Sequence, residues 1–124
     1  MKKGILIDTE NKIVREVTIK RHDSLLEMYD LVNCRMIEKV EIGNRTDLWI
    51  DEEGRLSKNE NSVWFTIGGS DPFIGNGLLL DHDNNGGSIS CSYSLEQIKP
   101  LVKFMNMYEV LIHQIHQMSY QHEE

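Results

Sequence analysis

The chain has 124 residues, of which 40% are hydrophobic and 27% are charged, a composition typical of one small globular domain. Its longest apolar run, residues 78–80, is far shorter than the roughly 20 residues of a membrane-spanning helix, and no signal-peptide pattern follows Met1. We therefore expect a cytoplasmic protein without membrane contact. The formal net charge is −7, and only Lys99 and Lys103 are basic after residue 58. Because binding to DNA or RNA depends on Lys and Arg that neutralise phosphates, this charge argues against direct nucleic-acid binding.

The first 93 residues are predicted to be mainly β. Residues 5–7 and 12–20 are β-like segments around a polar turn at residues 8–11, which predicts a β-hairpin. Ser24 and Glu27 have the spacing of a capping box ahead of an apolar stripe, so we predict a short helix near residues 24–33. Further strands are predicted at residues 34–42, 47–50, 62–67, 78–80 and 88–93. Side chains alternate along a strand, so Trp64 and Phe65 should point to opposite faces.

The last part of the chain is predicted to form one long amphipathic helix over residues 100–121. Ser94 and Gln97 have capping-box spacing ahead of a short turn, and Pro100 suits the first turn of the long helix. Apolar side chains then recur at alternating spacings of three and four, as in a heptad seam: Leu101, Phe104, Tyr108, Leu111, Ile115 and Met118. This stripe can pack on the sheet or pair with another subunit. Because it is wide for so small a domain, we expect a homo-oligomer that uses it.

These elements predict an α+β fold. A single domain over residues 1–124 should contain an antiparallel β-sheet, one short helix after the first hairpin and one long C-terminal amphipathic helix.

Residues 68–77 form a glycine-rich loop, which is the most informative candidate site. Its backbone amides can hold an anion, Phe73 can stack on a base, and Asn76 can read an amide or a hydroxyl. A phosphate would need cations from the first half of the chain (Arg21, Arg35, Arg45 or Arg55) or from another subunit, and we expect the ligand to lie between subunits. The candidate ligand-binding residues are Phe73, Asn76, Gly75, Trp64, Arg35 and Arg55. The alternative is a tight connection whose glycines only permit unusual backbone dihedrals.

Catalytic and cofactor motifs give little support to an enzyme. Residues 81–86 resemble the start of a calcium loop, but the twelfth position is Ser92, so a polar β-turn is the better interpretation. His113 and His116 lie one helical turn apart without a placed carboxylate or thiolate, which makes a weak metal site. His82 lies between two aspartates without a nucleophile spaced around it. We expect no enzymatic activity and no cofactor.

The order of several short segments is similar to that of a family of small uncharacterised proteins carried by bacteriophages and mobile elements. These segments, within residues 4–87, are GILID, VREV, LLEMYDLVNCRMIEKVEI, DLWIDEEGRL and FIGNGLLLDHD. Small phage proteins of this kind include anti-CRISPR inhibitors and sponges for nucleotide immune signals, such as the cyclic ADP-ribose isomers targeted by anti-Thoeris proteins. The resemblance implies a non-catalytic counter-defence protein of the host cytoplasm. It would sequester a small nucleotide signal, with Phe73, Asn76 and an N-terminal arginine as contacts.

The alternative function is that of an acidic inhibitor. Such a protein would present Asp and Glu where a host defence enzyme, for example a CRISPR effector, expects nucleic-acid phosphates. The partner in that case is a host defence protein instead of a small nucleotide.

Overall fold

The computed structural model describes the backbone of residues 1–20 and 25–122, and the side chains of residues 1–20 and 25–118. In these ranges, antiparallel strands form two sheets against which three helices pack, which confirms the predicted α+β class. The strands are β1 (Lys2–Asp8), β2 (Ile13–Ile19), β3 (Ile37–Glu41), β4 (Thr46–Asp51), β5 (Trp64–Ile67), β6 (Phe73–Ile74), β7 (Gly77–His82), β8 (Ser88–Ile89) and β9 (Val102–Met105). The helices are α1 (Leu25–Val32), α2 (Leu95–Ile98) and α3 (Met107–His122), with 3₁₀ turns at Gly54–Leu56 and Lys99–Leu101. Within the described residues, no helix has both the length and the apolar character that a membrane span needs.

The larger sheet has the strand order β2-β1-β7-β4-β3, with β8 paired to β7. The predicted hairpin is confirmed, because β1 and β2 pair from Lys2 with Ile19 to Asp8 with Ile13. In the centre, Leu78, Leu79 and Leu80 of β7 are completely buried. Alternation along the strand sends Leu79 to one face of the sheet and its two neighbours to the other. Both faces are therefore covered, one by α1 and the other by the smaller sheet and α2.

The smaller sheet has the order β6-β5-β9 and confirms the prediction for Trp64 and Phe65. Phe65 is completely buried in the core between the two sheets. Trp64 lies on the opposite face, where it packs with Met105 and with Val110 of α3. The two sheets approach each other closely at Gly77. A Cβ atom there would lie 2.7 Å from the Phe65 ring, so only glycine fits without a shift of that ring.

The predicted helix over residues 100–121 is wrong at its start. After the 3₁₀ turn, the chain forms β9, which pairs with β5 from Val102 opposite Ile67 to Met105 opposite Trp64. Phe104 therefore lies on a strand and Leu101 in the turn, so neither shares a helix face with the rest of the predicted seam. The physical reason is the open edge of β5, whose backbone groups need a partner strand.

Helix α3 begins only after β9, at a capping box that the sequence contains but our prediction missed. The side chain of Asn106 accepts a hydrogen bond from the Glu109 amide at 2.8 Å, and the Glu109 carboxylate accepts one from the Asn106 amide at 3.2 Å. The predicted box at Ser94 and Gln97 is confirmed at the start of α2. The predicted box at Ser24 lies outside the described residues.

Two other boundaries differ from the prediction. The strand predicted at 88–93 is limited to β8, because the chain then turns toward β1. There the Ser90 hydroxyl accepts a hydrogen bond from the Lys3 amide at 2.9 Å, and the Cys91 amide donates one to the Lys3 carbonyl at 2.8 Å. The strand predicted at 34–42 forms only over β3, after Asn33 ends α1 with a φ of 59°.

The cysteines, which lie 57 positions apart without a CxxC pair, are predicted from the sequence to be reduced, buried thiols. Cys34 and Cys91 are free, but each is only partly buried. They pack on opposite faces of the larger sheet. Burial raises the pKa of the Cys34 thiol above its ordinary value, and the nearby Asp51 carboxylate raises that pKa further. Burial also raises the pKa of Cys91. Both thiols are thus held in the protonated, weakly nucleophilic form.

We expect both thiols to react slowly with iodoacetamide at neutral pH. The folded-state pKa of each thiol lies above the ordinary value of 9.0. The protonated thiol therefore contributes fully to the stability of the fold below pH 9.0, and this contribution is lost as the pH rises through the folded-state pKa. Alkylation rates of the Cys34→Ala and Cys91→Ala variants, each of which retains one thiol, measure the two sites separately. An alkylation rate at neutral pH equal to that of an unfolded cysteine peptide would contradict the burial of that thiol.

Candidate functional site

One concave site, with a volume of about 690 Å³, lies at one end of the larger sheet, and we call it the end groove. It forms where the β1–β2 turn, the end of α1, the end of β4, the loop before β5 and the β6–β7 turn meet. Its polar lining consists of Asn33, Asn59, Asn61, Asn76, Thr9, Ser57, Ser62, Glu10 and Asp51. The rest of the lining consists of Val32, Val63, Ile74, Gly54 and Gly75. Such a surface offers many hydrogen-bond donors and acceptors around a small apolar floor.

Asn76 joins the segments that surround the end groove. Its side-chain oxygen accepts hydrogen bonds from the backbone amide and the hydroxyl of Thr9, both at 3.0 Å. Its side-chain nitrogen donates to the carbonyl of Leu31 at 3.1 Å. One amide therefore links the β6–β7 turn to the first hairpin and to the end of α1. Because these bonds occupy the side chain, Asn76 shapes the groove from within its wall.

Gly75, next to Asn76, gives the β6–β7 turn its conformation. Its φ of 82° lies in the left-handed region that favours glycine. Its amide donates to the Val63 carbonyl at 3.3 Å, and no atom lies within 4 Å of the place where a Cβ would stand. The turn thus presents open backbone toward the space of the groove.

Charge is distributed unevenly around the end groove. The described lining includes the carboxylates of Glu10 and Asp51 but no Lys or Arg. Arg55 directly follows Gly54 in the chain, and Arg35 lies two residues beyond Asn33. The Arg35 side chain is 90% exposed, and its guanidinium lies 3.9 Å from the Glu53 carboxylate. The described lining itself therefore carries no positive charge, and Arg35 and Arg55 are the arginines closest to it in the chain.

The predicted ligand-binding residues separate into two groups. Gly75 and Asn76 line the end groove, and Arg35 and Arg55 neighbour lining residues in the chain. The two aromatic residues do not line it. The Phe73 ring packs against Phe65 with a centroid distance of 5.5 Å, and Trp64 is only 4% exposed beneath α3.

The glycine-rich loop is likewise divided. Gly68 and Gly69 have φ angles of 57° and 79° and turn the chain between β5 and β6, outside the groove lining. For this part of the loop the alternative interpretation, a tight connection, describes the structure. The polar loop at residues 57–62 also lines the groove, although it was not among the predicted site residues. Its signal is the run SKNENS at residues 57–62, which is typical of an exposed loop.

A second polar cluster lies at the opposite end of β4. The His82 Nδ1 atom is 2.9 Å from Oδ2 of Asp47, a side chain that is almost completely buried. The other carboxylate oxygen, Oδ1, is buried without a hydrogen-bond partner among the described residues. Beside this pair, the Thr46 hydroxyl donates to the Asp81 carboxylate at 2.8 Å. Asp47 thus orients the imidazole through its Nδ1 atom.

The turn after β7 is a polar β-turn, as predicted. Its Asp83 carboxylate accepts hydrogen bonds from the amides of Asn85 and Gly87, at 2.9 and 2.8 Å. This carboxylate is therefore used within its own loop. In the described part of the chain, His, Cys, Asp and Glu do not form a group of three or more that could hold a metal ion.

Comparison with known proteins places the chain in a family. A search of curated proteins and a search of solved structures both gave no match. A family model described as a domain of unknown function matches residues 1–109 and thus covers both sheets and the whole end groove. The chain therefore belongs to this uncharacterised family, DUF3846.

Proposed function

We propose that this protein is a non-catalytic binding protein that sequesters a small nucleotide in the end groove. The observation that carries the proposal is the groove itself. Its volume of about 690 Å³ lies within the roughly 300–1,000 Å³ of small-molecule sites. Its lining presents amides, hydroxyls and carboxylates from segments that are distant in the chain, an arrangement suited to a compact polar ligand.

The lining suits the base and the sugar of a nucleotide. Asn33 and Asn61 carry side-chain amides, each with donors and an acceptor that match the edge of a base. The Glu10 carboxylate can accept hydrogen bonds from ribose hydroxyls. A phosphate inside the groove would be repelled by Glu10 and Asp51. We therefore place it on the side of Arg35 and Arg55, where guanidinium groups bind phosphate well.

The biological setting of this proposal rests on the resemblance to phage proteins. A protein that binds a nucleotide immune signal without consuming it would lower the free concentration of that signal in the host cytoplasm. The acidic inhibitor of a host defence enzyme is the competing function. Among the described residues, the acidic side chains of the second half of the chain lie on separate elements and turns, and Asp81 is buried against Thr46. A dispersed set of this kind favours the nucleotide over a phosphate-mimicking face.

Nucleotide binding can be tested by calorimetry and thermal unfolding with cyclic ADP-ribose isomers and cyclic dinucleotides. A ligand that binds only the folded state at 100 times its Kd adds about 2.7 kcal/mol of stability. Arg55→Ala removes one charged contact to phosphate and should weaken binding about tenfold or more. Arg45→Ala is the matched control, because Arg45 bonds to Asn84 at the other end of the sheet.

Three results would contradict the proposal. The first is the absence of stabilisation by any nucleotide, and the second is equal weakening by Arg55→Ala and Arg45→Ala. The third is chemical conversion of the bound nucleotide, detected by chromatography, because such conversion would identify the protein as an enzyme. Retention of a host defence protein together with the first result would favour the acidic inhibitor.

A further inference from the structure

Helix α3 turns an apolar side away from the domain. It is fastened near its start by Val110, which is 3% exposed and packs on Trp64 and Met105. Further along, Gln117 contacts Asp71 on the same side. The opposite side carries five exposed apolar or aromatic residues at helical spacing, which we call the α3 stripe: Tyr108, Leu111, Ile112, Ile115 and Met118.

The α3 stripe is exposed to an extent that is unusual for a soluble helix. Tyr108 is 71% exposed, Ile115 58% and Met118 57%. A contiguous apolar face of this kind commonly marks an interaction surface. The match to the family model ends at residue 109, whereas α3 continues to His122. Most of the helix thus lies beyond the part of the chain that the family shares.

We propose that the α3 stripe is the interface between two copies of this chain. The first argument is charge. The protein carries a formal charge of −7, so two copies repel each other over most of their surfaces. The sequence from Val110 to His122 contains no Lys, Arg, Asp or Glu. The approach of a second acidic copy is therefore least opposed along α3.

The second argument is the pattern of the stripe. Tyr108, Leu111, Ile115 and Met118 follow each other at spacings of three, four and three, the seam by which two helices interlock. Charged residues beside such a seam set the choice and orientation of the partner, and α3 has no Lys, Arg, Asp or Glu after Glu109 that would repel an identical helix. An identical helix satisfies the seam, because a two-fold axis sets the same residues against each other. From Tyr108 to Met118 the stripe extends about 15 Å along α3.

This interface keeps four of the six residues expected from the sequence and changes the geometry. Leu101 and Phe104 leave the seam because they precede α3. Of the two residues expected from the sequence to widen the seam, Ile112 is exposed on α3, whereas Met105 is buried on β9. The described lining of the end groove includes no residue of the α3 stripe, so a substitution in the stripe leaves that lining unchanged. The dimer and the proposed function can therefore fail separately.

The test is the molar mass of the intact chain by light scattering and sedimentation over the micromolar range. We expect a mass near twice the 14.4 kDa of one chain, or a concentration-dependent rise toward it. A variant with Leu111→Glu and Ile115→Glu places two charges on the stripe and should be a folded monomer. The matched control carries Gln114→Glu and His116→Glu, which add as many carboxylates at exposed positions to either side of the stripe. It should remain a dimer.

Several outcomes would overturn the interface. An intact chain that is monomeric throughout the concentration range has no such dimer, even if it captures another protein. A stripe variant that still dimerises would place the contact elsewhere, and one that unfolds by circular dichroism would place the stripe within its own domain. If the control variant loses the dimer to the same extent, the added negative charge explains the loss, and the apolar side chains of the stripe do not form the interface.

Discussion

Replacement of Asn76 by alanine should lower the free energy of unfolding by about 2–3 kcal/mol. The variant loses three hydrogen bonds, two with Thr9 and one with the Leu31 carbonyl, in a partly buried position. Each such bond contributes about 1 kcal/mol, and the Thr9 amide and Leu31 carbonyl would lose a partner. Thr9→Val removes only the hydroxyl donor, so it should cost about 1 kcal/mol. We therefore expect a graded loss in the free energy of unfolding, smaller for Thr9→Val than for Asn76→Ala.

Urea unfolding of the two variants beside the intact chain measures this gradient. Asn85→Ala is the matched control, because Asn85 lies in the exposed turn after β7 and only its backbone amide bonds to Asp83. The control should change stability by less than about 0.5 kcal/mol. If Asn76→Ala costs no more than Asn85→Ala, the amide does not join the three segments and the walls of the end groove are held by other contacts.

The fold could be predicted from the sequence where the signal is local. The first hairpin follows from a polar turn between β-like segments, and the opposite directions of Trp64 and Phe65 follow from the two-residue period of a strand. The start of the last helix could not be found in this way. Residues 101–104 satisfy a helical spacing of three, yet the alternation of 102–105 equally suits a strand. The unpaired edge of β5 decides between them, and that edge exists only in the folded sheet.

The candidate site was predictable only in part, for a related reason. Glycine at position 75 indicates a turn from the sequence alone, and that turn lies in the groove wall. The role of Asn76 depends on Thr9, 67 positions earlier in the chain, and no local pattern connects them. Phe73 was expected to meet a ligand, but its ring packs against Phe65 because β6 pairs with β5. Where a side chain has several possible partners, the strands and segments that meet in the folded chain decide which contact it makes. The residue type alone does not.

The pair of His82 and Asp47 should be the other strong determinant of stability. Asp47 is 1% exposed, and its Oδ2 atom accepts a hydrogen bond from the imidazole of His82, which lies 35 residues later in the chain. His82→Ala would leave a buried carboxylate without this bond, whose loss costs about 2–3 kcal/mol. The side chain of His82 is 24% exposed, so water can replace part of the contact and the loss should not exceed this range by much.

A double-mutant cycle separates the pair from its surroundings. Asp47→Leu alone leaves the imidazole without its acceptor, and the combination of Asp47→Leu with His82→Ala removes both polar partners. The double variant should therefore lose less stability than the sum of the single losses, with a coupling of about 1–3 kcal/mol in urea unfolding. His116→Ala, an exposed histidine on α3, should be nearly neutral by comparison. Additive losses would mean that the two side chains do not interact.

The same variants distinguish a structural pair from a part of the binding site. Asp47 and Asp51 lie at opposite ends of β4, and four residues of extended strand span about 13 Å. Asp51 lines the end groove, whereas Asp47 and His82 do not. We therefore expect His82→Ala to unfold at lower urea concentration but, while folded, to bind nucleotide with unchanged affinity. If the His82→Ala protein is folded but no longer binds nucleotide, the binding site lies near the imidazole and not in the end groove. A contact that only stabilises the sheet would not change the nucleotide affinity of the folded protein.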